Sequence, residues 1–201
     1  MKKLVLKTVA ITLASIVLAF AVAFGAACIF APKFLAKCFD GVGAYSASVF
    51  FYEKQYKKSG VIEDLAALVD NIDAENDGER AEEYLNLLVS HEWFDSFCTL
   101  QDGGASALIS TKEYYSGQYA VTLVNNQKVE DAFSFCQSFT EKNGYAKNNP
   151  YRILESEFIN DKTILSKLKA ELLDCLQSVP LNNEGIELMV GDINELNLIL
   201  R

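Results

Sequence analysis

The chain has 201 residues and a mass of 22.3 kDa, with 27 acidic against 18 basic residues and a net charge of −9. Residues 1–40 hold five lysines and one acid, a net of +4, so residues 41–201 carry −13. That acidity excludes a phosphate-backbone partner, because proteins hold nucleic acid mainly through Lys and Arg, and the recurrent Leu, Val, Ile, Phe and Tyr exclude a disordered polymer.

After a basic start at residues 1–7, expected on the cytoplasmic side, Thr8 to Ala31 runs uncharged as TVAITLASIVLAFAVAFGAACIFA. As a helix rising about 1.5 Å per residue it reaches roughly 36 Å, enough for a bilayer core of about 30 Å. With no internal proline, one helix satisfies its own backbone in lipid. The segment 8–31 is therefore predicted to be a transmembrane helix, with membrane lipid as its partner. A cleaved signal peptide ending at Ala21-Val22-Ala23 or Gly25-Ala26-Ala27, or a lipoprotein signal ending at Cys28, are the rival readings. Lys2, Lys3 and Lys7 with the α-amino group outweigh Lys33 and Lys37, which orients the N-terminus to the cytoplasm and the rest outside a cell membrane. Residues 32–44, with Gly41-Val42-Gly43, are expected to form a juxtamembrane linker.

Residues 45–201 show apolar positions at intervals of three and four: Val61, Leu65, Leu68, Val69 and Ile72; Tyr84, Leu85, Leu87, Leu88 and Val89; Ile164, Leu165, Leu168, Leu172, Leu173 and Leu176. The strand-like run Tyr119 to Val124 also fits a helix. The expected fold class is all-α, a single N-terminal transmembrane helix followed by a stack or bundle of αα-hairpins with eight or nine helices. Breaks are predicted at Ser59-Gly60, Asn71 to Gly78, Gln101 to Ala105, Asn125 to Gln127, Asn143 to Pro150 and Pro180 to Asn183.

A degenerate repeat runs through this domain. Gly60, His91, Gln127 and Gly191 are each followed two residues on by a bulky apolar residue (Ile62, Trp93, Val129, Ile193). Four residues on stands an acid (Asp64, Asp95, Asp131, Glu195). A turn, an apolar pin and an acid in the first turn of the next helix suit an αα-hairpin. The stretches Gly60 to Leu65 and Gly191 to Leu196 resemble the tetratricopeptide repeat, in which a turn leads into the second helix of each pair. Glu53 and Glu184 depart from it, standing where the family has small residues. The resemblance implies stacked hairpins over Tyr45 to Arg201 and a peptide-binding concave surface, whose matching positions are Phe50, Lys54 and Lys58 in the first copy and Tyr114 and Asn125 in the third. It implies a protein partner.

Chemical motifs are sparse. Asp73, Glu75 and Asp77 resemble the start of a calcium loop, but Tyr84 occupies the twelfth position where a bidentate Glu is needed; an interhelical loop capped by Asn76, with Glu79 returning the bond, is the alternative. His91 lies near Ser90 and Asp95, and a lone histidine beside Trp93 suits a structural turn. Cys38, Cys98, Cys136 and Cys175 form no C-x-x-C; buried free thiols are preferred to disulfides. Gly103-Gly104 reads as a loop, and no cofactor is expected. The sequence thus points to a membrane-anchored, non-enzymatic scaffold or protein-interaction module. The alternative is an exported ligand-binding or hydrolytic domain using scattered acids such as Glu83, Glu113 and Glu157.

Overall fold

The computed structural model describes residues 2–75, 77–102 and 110–201, which contain eleven helices and no strand. The chain divides into two compact units, Met1–Glu75 and Asn76–Arg201. The predicted all-helical class is what the structure has. The turn expected at His91 falls between Ser90 and Trp93, and a break that was not expected falls between Phe158 and Asp161.

The first unit holds α1 (Lys2–Phe30), α2 (Pro32–Gly41), α3 (Tyr45–Ser59) and α4 (Ile62–Glu75). Within α1, Ile11–Phe30 has a mean hydropathy of 2.5 and none of it is buried. It is therefore long and apolar enough to span a bilayer. Ala31 leaves helical geometry at φ −134° and Pro32 restarts the chain at the first position of α2, where a missing N–H costs nothing. The stretch expected to be a linker is thus largely helical. Leu35 and Ala36 are buried, and Phe39 stacks on Phe51 of α3, ring centroids 5.6 Å apart. A ten-residue helix is too short for its periodicity to stand out in sequence.

The α2–α3 pair is tied by Ser48 Oγ, which donates to the Ala36 carbonyl at 3.0 Å. The apolar face of α4 is the one the periodicity marks: Leu65, Leu68, Val69 and Ile72 are all buried. Gly60 ends α3 in the left-handed region at φ 64°. Asp64, in the first turn of α4, is a buried carboxylate that accepts from Lys33 Nζ on α2, Gln55 Nε2 on α3 (2.9 Å) and Ser59 Oγ (2.8 Å). Burial works to raise its pKa, but those hydrogen bonds and the lysine charge outweigh it and hold the carboxyl below its ordinary value.

The second unit holds α5 (Gly78–Val89), α6 (Phe94–Asp102), α7 (Thr111–Asn125), α8 (Val129–Asn143), α9 (Pro150–Glu157), α10 (Lys162–Ser178) and α11 (Asn183–Ile199). Helix α7 sits at its centre, packing on α5 and α9, each two helices away in sequence, and on α6 and α8; α8 in turn meets α10. The helix starts carry polar caps: Asp77 for α5, Ser110 with Glu113 as a full capping box for α7, Asn149 for α9, Asp161 for α10 and Asn182 for α11. The α5 cap is Asp77, one residue beyond the expected Asn76, which lies outside the described residues. At Gly117 a Cβ would come within 2.2 Å of Ile153 Cδ1, so the glycine sets the close approach of α7 and α9.

Three of the four repeat anchors stand at interhelical turns. Gly60 and Gln127 both take φ 64°, and His91 lies in the α5–α6 turn. Gly191 does not: it lies inside α11, whose face of Met189, Ile193 and Leu196 is continuous and buried. The turn reading of that copy fails because a glycine costs a helix only about 1 kcal/mol, which a fully packed face offsets. All five cysteines are free; Cys98, Cys136 and Cys175 are buried and Cys38 is exposed. Burial pushes the Cys98 thiol up to about 12 and the Cys175 thiol to about 11, which leaves them unreactive.

Gln127 is the sole non-glycine residue at positive φ among the described residues. Gln127→Gly is expected to stabilise the folded chain by about 1 kcal/mol, the cost of a left-handed side chain. Urea denaturation followed by circular dichroism reads the change as a higher midpoint at unchanged slope.

Candidate functional site

Each expected binding residue is on the surface or partly so. Phe50, Lys54 and Lys58 occupy one exposed stripe of α3 at helical spacing, in the first unit. Tyr114 and Asn125 belong to α7 in the second, where Tyr114 packs edge-on against Tyr115 and Asn125 ends the helix.

The second unit has a groove that sequence reading did not single out. Helix α8 presents Phe135 and Phe139 at a spacing of four, with Ser138 beside them, facing Val89 of α5. Two open depressions of about 160 and 350 Å³ meet there, sharing Val89, Phe135 and Ser138. Small-molecule sites usually enclose most of their ligand, whereas both depressions are open, so this groove suits projecting side chains. At one end Asp95 bridges Lys112 (2.8 Å) and Lys142 (2.9 Å), which hold its carboxyl below the usual value by hydrogen bonding and charge. Lys112 also lies over the Phe139 ring, 5.9 Å from its centroid. At the other end Tyr119 meets Phe135 edge-on at 4.9 Å and donates to Asn86 Oδ1 at 3.2 Å. The floor is aromatic and the rim charged, the distribution of a contact surface.

A buried polar cluster ties α9 to α11. Tyr145 Oη donates to Asp192 Oδ2 at 2.6 Å, and Arg152 Nε lies 3.2 Å from the same oxygen. Glu155, one turn after Arg152, is 9 % exposed and its Oε1 has no hydrogen-bond partner. Burial, followed by the charges of Asp192 and Glu195, lifts Glu155 to about 7, with Arg152 opposing. Asp192 is also raised, by burial first, with Tyr145 and Arg152 opposing. Neither acid lines the groove. A signal for both existed in the sequence: each falls on the apolar stripe of its helix, beside Tyr151 and Leu154 or Met189 and Ile193.

The remaining candidates are placed as follows. Glu83 and Glu157 are exposed, while Glu113 serves as the α7 cap, so the three acids do not gather in a cavity. Asp73 lies within the helix α4, Glu75 is its last residue and Asp77 caps α5. Among the described residues no three His, Cys, Asp or Glu side chains converge as a metal-binding group. His91 Nδ1 accepts from the Trp93 N–H at 3.2 Å, Ser90 Oγ donates to the Asn86 carbonyl, and Asp95 holds its lysines, so the three do not form a relay. The Gly103-Gly104 loop lies outside the described residues. Comparison with protein-family models, curated proteins and solved structures yields no match to this chain.

Because Glu155 titrates higher in the folded chain than in the unfolded one, its contribution to stability is full below about pH 4.5 and is lost as pH rises through about 7. Glu155→Gln is accordingly expected to stabilise the second unit by about 2 kcal/mol at about pH 8 and to change little at about pH 4. Chemical denaturation at the two pH values measures this; a gain that is equal at both would remove the buried charge as its cause.

Proposed function

We propose that the protein is a single-pass, membrane-anchored scaffold that presents a helical domain to a protein partner and performs no catalysis of its own. The observation that carries the reading is α1: twenty consecutive uncharged residues, Ile11–Phe30, with a mean hydropathy of 2.5 and none of them buried among the described residues. Water does not tolerate so large an apolar surface, whereas a bilayer takes it without any change in the helix. Lys2, Lys3 and Lys7 before the span favour a cytoplasmic N-terminus and an extracytoplasmic domain in the cell membrane.

For the interaction module the support is packing order. In the second unit α7 packs on α5 and α9 while α8 meets α10. This alternation is the one produced when successive αα-hairpins stack, first helix on first and second on second. Within that unit the order is in keeping with the tetratricopeptide resemblance at the His91 and Gln127 turns, though not at Gly191. The groove around Phe135 is the partner surface we favour; Tyr114 and Asn125 on α7 line neither depression and, like the stripe of Phe50, Lys54 and Lys58 in the first unit, stand as separate candidates.

Two measurements test these parts separately. A C-terminally tagged chain is expected to stay in the membrane pellet after alkaline carbonate, and its tag to be cut by protease added to intact spheroplasts. Release into the supernatant would end the anchor, and a protected tag would reverse the orientation. Phe135→Ser is expected to weaken capture of a crosslinked partner roughly tenfold, the usual cost of truncating an aromatic anchor, while helicity and membrane retention are unchanged. Undiminished capture would take the partner site away from this groove.

A further inference from the structure

Helix α2 is apolar on two sides. Its inner face is fixed by Leu35 and Ala36, by the Phe39–Phe51 stack and by the Lys33–Asp64 ion pair, which together leave it no freedom to roll. Its outer face then carries Phe34 and Cys38 at a spacing of four, and Val42 follows four residues later at the helix cap. Phe34 is 64 % and Val42 77 % exposed. Lys37, also exposed, borders this face.

Only Ala31 separates α2 from the apolar run of α1, and one residue reaches at most about 3.6 Å. Whatever depth the end of α1 takes, α2 therefore begins at that depth. The non-helical geometry at Ala31, φ −134° and ψ 50°, breaks the helix between α1 and α2. From these observations, and resting on the membrane-anchor reading above, we infer that α2 lies in the membrane–water interface, with Phe34, Cys38 and Val42 in lipid and Lys37 among anionic headgroups. A short helix with an apolar face and a basic border is what such an interface holds. The first unit would then be seated on the bilayer through a defined face and not suspended from a flexible tether, because α2 is packed directly onto α3.

The test uses the full chain reconstituted in phosphatidylcholine vesicles containing phosphatidylglycerol. A nitroxide is attached to Cys38 in a Cys28→Ser variant and to Cys28 in a Cys38→Ser variant. In the variant lacking both cysteines, Glu157→Cys supplies a reference on the exposed surface of α9. Cys98, Cys136 and Cys175 are buried and do not take the label in the folded chain. Collision rates with oxygen and with a water-soluble nickel chelate report depth. The label at 38 is expected to show an oxygen-to-nickel ratio several-fold above that at 157 and below that at 28. If 38 matches 157 while 28 remains lipid-exposed, the interfacial seat is wrong and the anchor stands. If 28 also matches 157, both fail. A second label, at Val42→Cys in the variant lacking Cys28 and Cys38, must agree with 38; an aqueous reading there overturns the seat as well.

Discussion

An apolar helix with no protein to cover it is the constraint on which the rest of this chain is arranged. From Ile11 to Phe30 no residue is buried among the described residues, so the free energy of that surface is not met by packing against them. The consequences run down the sequence. The helix ends where Ala31 and Pro32 interrupt it, and α2 follows at once. What sequence alone suggests to be a pliable linker is instead held by Leu35, Ala36 and Phe39 against α3. The element directly after the apolar run is thus a rigid part of the first unit, which a glycine tether would not be.

Two buried carboxylates show how the same physics is resolved in opposite ways. Asp64 is taken out of water but receives three donors, one of them a lysine, so its ionised form is the favoured one and it joins α2, α3 and α4. Glu155 is also taken out of water, yet its Oε1 receives nothing, and the nearest charges include Asp192 and Glu195. Arg152 and Tyr145 are committed to Asp192 instead. The first arrangement strengthens packing at neutral pH; the second weakens it as the proton leaves. Neither acid is placed to act on a substrate in the groove, so their perturbed titration belongs to the packing of helices.

The groove around Phe135 owes its form to close helix approach. Gly117 lets α9 come near α7, and Asn126, at the α7–α8 turn, donates to the Gly78 carbonyl and to Glu82 at the start of α5. With α5, α7 and α8 so fixed, the rings of Tyr119, Phe135 and Phe139 are held at the surface in edge-on and tilted contacts. Rigid aromatic surface of this kind has little side-chain entropy left to lose when it is covered.

Local pattern was enough to decide what depends on near neighbours: the apolar span, the all-helical class, the buried stripe of α4, and the turns at Gly60 and Gln127. Each rests on hydrophobic periodicity or on residues within a few positions of one another, where the chemistry of a helix end or a bilayer acts locally. The tertiary structure decided what depends on distant partners. Gly191 was indistinguishable from a turn glycine until Met189, Ile193 and Leu196 were seen to pack as one face, and Asp64 was an ordinary helix-start acid until Lys33, thirty-one residues away, closed on it. The groove is the clearest case, since Val89, Lys112 and Phe135 share nothing in sequence. They meet only because α7 is packed between helices on both sides, and the free energy that brings them together comes from burying the faces behind them.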